Sequence, residues 1–349
     1  MGSYIMTTTL GMYLPKQFLD GPATDDALTS AVKAVAMAAY SRMAGNAQTM
    51  LDMGCREYTV ALRRTNDMLP QARGGMLDRA LATVLTLSLF ESLVFKGQKE
   101  VSNWLAHTHG TVALLRMRGA QHMSSESWYL SVHAGYAIRL SCIWRRVEVP
   151  ADLVALEEAY GLSRPNDPDL WIFSFMNKLA SCMVRLYDQD LSFADDMLRL
   201  ETEGRYGTSV EVLGSEGSGD HFDLLRLTKR WCVLIVLRML LLECLGVRVD
   251  RKYLLPRFTK ITEDIVHKLP KAVPLRNPDG RFLLTSRCYA GPLAFVGSSP
   301  FASPAQKEWA ANQLQQLAYD ADLPQVANMV AERSQTRGKG FWVSIYHLL

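Results

Sequence analysis

Two arginines and a tyrosine stand where charge and hydroxyl are least expected. Arg139 and Tyr136 lie on a mostly apolar stretch that also carries Trp144, and Arg238 interrupts the greasiest run of the chain, Trp231 to Leu242. A charge in such a run has to be paired or hydrogen-bonded, which makes Arg238 a candidate for facing an internal cavity. For Arg139 two readings stand, core packing with a snorkelling guanidinium or the lining of a pocket. In the pocket reading Arg139, Tyr136 and Arg238 are the catalytic candidates, donors that stabilise charge developing in a folded substrate. Trp144, Trp171, Tyr187, Trp231 and Tyr289 are the candidates for holding that substrate. Tyr187 and Trp171, with Phe173 and Phe175, read equally well as core.

A second group of reactive residues sits in Trp104–Gly119, where His107, His109 and Gly110 interrupt apolar positions. Two residues apart on a helix, the histidines point about 200° from each other, so they cannot share a ligand. Arg116 and Arg118 close that helix against the negative end of its dipole, and Gly119 supplies the left-handed cap. The acidic segment Asp195-Asp196-Met197-Leu198-Arg199-Leu200-Glu201-Thr202-Glu203 has carboxylates at the outer positions of a diphosphate-binding metal motif, as in terpene cyclases. Arg199 stands where a hydroxyl ligand belongs, and no partner aspartate-rich motif occurs. That segment therefore reads as a solvated helix face.

No Gly-rich phosphate loop, GxSxG elbow or HExxH helix is present. The six cysteines include no CxxC pair, so they read as buried free thiols in a reducing compartment. Neither metal nor cofactor is expected. A net charge of +3 without a block of like charges gives no footprint for nucleic acid. The Trp231–Leu242 run falls short of the ~20 apolar residues of a membrane span. No secretory signal opens the sequence, so the expected compartment is cytoplasmic.

The elements that must position these residues are helices. Residues 1–22 read as an irregular N-terminal segment, and 23–349 as one all-α domain of roughly a dozen antiparallel helices. Thr24 is the expected cap of the first helix and Asn46 of the second, whose outer face carries Arg56, Arg63 and Arg64. Further helices are expected over 76–95, from Gly97 to Arg118, and over 128–147, 151–160, 169–187, 190–203, 220–246, 250–268, 282–295, 304–320 and 323–336. Gly204 to Gly219, rich in glycine and serine, reads as a surface loop or linker, and the tract from Pro270 to Gly280 as extended.

Ala27 to Tyr58, Ala61-Leu62, Leu85 to Glu91, and Trp104–His107–Gly110–Leu114-Leu115–Arg118-Gly119 together resemble the regulatory domain of fungal-specific transcription factors of the zinc binuclear-cluster type. Tyr289 to Gly297 followed by Trp309 resembles that domain's closing helices. The resemblance spans residues 23 to 342 and implies an all-helical fold that binds effectors or partners, with no catalytic residue to carry over. The cysteine cluster, basic linker and dimerising coiled coil of those factors are missing from this sequence, so the expectation is no direct contact with nucleic acid.

Three functions follow. The first is an effector-sensing domain lacking its own DNA-binding module, nuclear in that case. The second is a stand-alone descendant promoting a cofactor-independent cyclisation or pericyclic step on an apolar terpenoid or polyketide. The third is an interaction scaffold. The cyclisation is favoured here, with an apolar metabolite as partner, no membrane, and a homodimer left open.

Overall fold

Alanine dominates the first helix, and that choice sets how closely its neighbours approach. The computed structural model describes residues 26–43, 48–94, 98–119, 125–161, 166–187, 192–207, 221–246, 249–272, 288–320 and 326. Within them helix α1 (Ala27–Met43) buries Ala27, Ala31, Ala34, Ala38 and Ala39. Helix α2 (Gln48–Met68) lies against it at Gly54, where a Cβ would sit 3.2 Å from the Ala34 carbonyl oxygen. The cap of α1 is Asp26, whose Oδ1 accepts the Thr29 amide at 2.9 Å. Thr24 and Asn46, the expected caps, lie outside the described residues. Arg56 and Arg63 are exposed, but Arg64 turns inward and donates to Ser30 Oγ at 3.1 Å.

The architecture is all-α, with twelve α-helices and no strand among the described residues. They fall into two compact units. The first draws on residues up to 141 together with 150–161, and the second on 142–149 and 166 onward.

In the first unit α3 (Gly75–Val94) is the apolar centre, packed on α1 and on α4 (Gln98–Arg118). Leu89, Phe90 and Leu93 of α3 close one core with Val35 and Ala38, and Tyr58 stacks on Phe90 at 4.8 Å between centroids. Helix α4 ends as its sequence implies. Gly119 has φ +65°, and its amide reaches the Leu115 carbonyl at 3.0 Å. Arg118 pairs with Asp78 at 2.8 Å and Arg116 pairs with Asp152, so both arginines also tie α4 to neighbouring helices. On α4 the apolar Met117 is half exposed, while Thr108 and Thr111 are buried. Helix α5 (Ser125–Arg145), as far as residue 141, and α6 (Ala151–Gly161) complete the unit, with Trp128 stacked on Tyr160 at 4.2 Å.

The second unit is built on α9 (His221–Leu245), whose apolar run is buried from Trp231 to Met239 as expected of a core helix. Against it pack α7 (Pro168–Val184), α8 (Ser192–Gly207), α10 (Arg251–Ala272) and α11 (Ala290–Ser298), and α12 (Pro304–Asp320) packs on α11. Asp167 caps α7 by accepting the Asp169 amide, with Pro168 at the first helical position. Helix α8 runs on through Gly204 and Gly207, positions expected in a loop. Space, not flexibility, explains both glycines. A Cβ on Gly204 would sit 2.9 Å from Arg238 Cγ and 3.0 Å from the Phe175 ring, and one on Gly207 would overlap the Trp171 indole. Residues 208–219 of the expected loop lie outside the described residues, as does the helix expected over 323–336 apart from residue 326. Helix α10 carries Pro270 and continues to Ala272, two residues into the tract expected to be extended.

Candidate functional site

Helix α10 has two faces with different work to do. Leu254, Phe258, Ile261 and Ile265 are buried at helical spacing, and Phe258 meets Phe301 at 5.8 Å between centroids. On another face Thr262, Glu263, Val266 and His267 look across to the first two turns of α12, where Ala305, Gln306 and Trp309 answer them. Between the two helices lies an open groove of about 660 Å³. Its walls are Val266, Ala305 and the Trp309 indole, with polar groups from Glu263, His267 and Gln306. That size and mixture suit a small molecule. The α12 wall is fixed by a capping box, in which Ser303 Oγ accepts the Gln306 amide at 3.2 Å and Gln306 Oε1 accepts the Ser303 amide at 2.8 Å.

The candidates named from sequence sit elsewhere. Tyr136 and Arg139 belong to the first unit, where both are buried. Arg139 neither snorkels nor lines an open wall. Its guanidinium grips Glu157 through both terminal nitrogens, one at 3.0 Å from Oε1, and Nη1 also donates to the Gly135 carbonyl at 3.2 Å. Burial pushes the Glu157 carboxyl above the usual carboxylate range, and Arg139 pulls it back only in part.

The other six belong to the second unit. Arg238 donates to Glu201 Oε1 at 3.0 Å. Trp171 lies 5.9 Å from Phe175 between ring centroids, and both rings press on the α8 glycines. Trp231 and Tyr289 meet at 5.7 Å, with the Lys268 ammonium 4.6 Å from the centre of the Trp231 ring. Trp144, near the end of α5, is half-buried, and Tyr187 closes a 3-10 turn over residues 185–187. The structure thus brings together Trp231 with Tyr289, and Trp171 with Arg238 through Phe175. None of the eight lines the α10–α12 groove.

On α9 the second unit also carries an unusual base. Lys229 is fully buried, and desolvation holds its ammonium down to about 8 against the opposing pull of Asp169. Asp169 itself is gripped by Arg230 at 2.6 and 3.0 Å.

In the first unit His107 donates from Nε2 to Glu91 Oε1 at 3.0 Å, and the Tyr58 hydroxyl donates to the same oxygen. Glu91 Oε2 is buried with no hydrogen-bond partner. Burial, then the contact with Glu91, pushes the Tyr58 hydroxyl well above the usual phenol range. Glu91 of α3 therefore ties α2 and α4 together through one carboxylate.

The acidic segment of α8 is neutralised by cations from several helices. Asp196 takes Arg185 and Arg199 at 3.0 Å each, Glu203 takes Lys178 at 2.7 Å, and Glu201 takes Arg238. The solvated face expected there is a network of ion pairs. Five of the six free thiols are buried and Cys55 is half-buried. Among the described residues no helix is long and apolar enough to cross a membrane.

Two sequence signals mark the groove. Val266 is an apolar residue on the polar side of an amphipathic helix, and Trp309 stands in an otherwise small and polar run, Ala305 to Gln313. Compared with known proteins, the chain matches no family model, no curated sequence and no solved structure.

Proposed function

We propose that the second unit binds an apolar small molecule in the α10–α12 groove, and that the chain acts as a ligand-sensing helical domain. The observation that carries this is the groove itself, about 660 Å³ walled by Trp309, Val266 and Ala305, with Gln306 held in place by its capping box. An apolar wall with a few placed polar groups is the usual make-up of a site for small organic ligands. The resemblance of residues 27–119 and 289–309 to a fungal regulatory domain supports the sensing role.

A cyclisation in the same groove would have Gln306, Glu263 and His267 as its polar groups. The guanidiniums of Arg139 and Arg238, the donors expected to promote it, are each engaged by a carboxylate. Binding without turnover is the reading the geometry supports best.

The test is calorimetric titration of the whole chain with farnesol, an apolar terpenoid alcohol, and with an apolar aromatic ester of polyketide type. Saturable binding by either, abolished by Trp309→Ala and by Val266→Asp, is the expected result. Mass spectrometry of the incubated ligand should show it unchanged. If neither probe binds, or if both variants bind as the wild type does, the groove is not the site. A mass-neutral rearrangement in the incubation would restore the cyclisation.

A further inference from the structure

The α10–α12 groove holds a carboxylate that its surroundings leave unanswered. Glu263 lines the groove, and among the described residues its side chain takes part in no ion pair or hydrogen bond. Two other polar groups there serve their own helices. The Thr262 hydroxyl donates to the Phe258 carbonyl at 3.1 Å, and Gln306 Oε1 accepts the Ser303 amide at 2.8 Å. The lysines nearest in sequence on α10 are turned elsewhere. Lys260 reaches Asp264 at 3.3 Å, and the Lys268 ammonium stands 4.6 Å from the centre of the Trp231 ring. Among the described residues no lysine or arginine lines the groove, which leaves His267, one turn beyond Glu263, as the other titratable group of its wall.

The carboxylate stands in apolar company. Glu263 and Val266 are three residues apart on α10 and share a face, where Val266 is 44 % exposed. Ala305 and Trp309 stand one turn apart on α12 and supply the facing wall, with the Trp309 indole half-buried. An indole attracts a cation to its face more strongly than any other side-chain ring, and a carboxylate attracts it by charge. A hard metal ion takes several oxygen ligands, whereas this groove offers one carboxylate between apolar walls. An organic cation with an apolar body answers both the charge and the walls.

We propose, resting on the groove as the ligand site, that its ligand is a protonated amine on an apolar body, the ammonium paired with Glu263 and set against the Trp309 indole. No bond is made or broken there; the charge selects among apolar molecules that the walls alone would accept equally.

Farnesylamine and farnesol share one apolar chain and differ only in the head group. Calorimetric titration of the full chain with each, at neutral pH and low salt, therefore isolates the charge. Farnesylamine should bind about tenfold tighter than farnesol, the sum of an exposed ion pair and a cation–indole contact. In Glu263→Gln that ratio should fall by at least half, and in the wild type it should shrink at high salt, where an exposed pair is screened. Glu263 is exposed, so Glu263→Gln keeps the fold, as circular dichroism will show, and the salt series decides the matter if it does not. A wild-type ratio below about threefold, a fall of less than half in folded Glu263→Gln, or a ratio indifferent to salt would overturn the proposal. If farnesol binds and the amine binds no tighter, the groove stands as a ligand site and only the choice of ligand falls. If neither binds, both fall together.

Discussion

Replacing Arg139 by methionine removes one half of a pair that is otherwise sealed inside the first unit. Arg139 is wholly buried and its partner Glu157 nearly so. Breaking a buried pair from one side leaves the other charge without compensation, which costs about 3–5 kcal/mol. The variant protein has one escape, protonation of Glu157. Burial already raises that carboxyl above its ordinary 4.5, and without Arg139 it rises further. A raised carboxyl means the folded state holds a proton that the unfolded chain has released. Stability is therefore full below the unfolded value and lost as pH rises through the folded one. Hydrogen exchange over residues 128–141 and 151–161 reads the first unit alone. In Arg139→Met these amides should exchange faster by roughly two to three and a half decades at neutral pH, taking 1.4 kcal/mol per decade. The gap should narrow on acidification, after correction for intrinsic exchange. The double variant Arg139→Met/Glu157→Met should recover most of the loss, because two apolar side chains replace the pair without an orphaned charge. Exchange in Arg139→Met within about one decade of wild type, or a double variant no better than the single, would refute this account of the pair.

Three further outcomes follow from the same physics. Gly207→Ala should lower the melting temperature despite the better helix propensity of alanine, since the new methyl meets the Trp171 ring and overpacking costs about 1–3 kcal/mol; adding Trp171→Phe should restore it. Lys229→Met should stabilise the protein at neutral pH by up to about 3 kcal/mol, judged from urea midpoints. The sign comes from a base held down to about 8 from 10.5, which leaves the folded state short of a proton across that window, so wild-type stability should climb with pH there while the variant stays flat. Tyr58→Phe keeps the stack on Phe90 but removes a donor to Glu91, whose second oxygen already lacks one, and should cost about 1–3 kcal/mol in thermal melts; an unchanged melting temperature would contradict the bond.

Helices were legible wherever a single residue type marks an end. Gly119 at a positive φ, Pro150 before α6 and Pro168 behind the Asp167 cap all signal locally, and the boundaries fall beside them. The end of α8 was not legible, because Gly204 and Gly207 make room for Arg238, Phe175 and Trp171, which approach from α9 and α7. A glycine that makes room looks the same in sequence as one that bends a chain. Buried arginines were recognisable as needing partners, but Glu157 and Glu201 lie on other helices and nothing in spacing names them. The groove is the least legible feature, since its walls come from α10 and α12 and only packing sets them face to face.

The two sealed pairs, Arg139 with Glu157 and Arg238 with Glu201, bear on how this chain can change over generations. Losing Arg139 or Glu157 alone, or Glu201 from the second pair, strands a charge in the core, so these positions cannot drift one at a time. Arg139 is bound to change with Glu157, as a unit, by way of an intermediate weak enough to be selected against. Glu201 is more constrained still, since it answers to Arg205 and Arg257 as well. In any set of descendants these positions should covary, and the surface between them should wander freely.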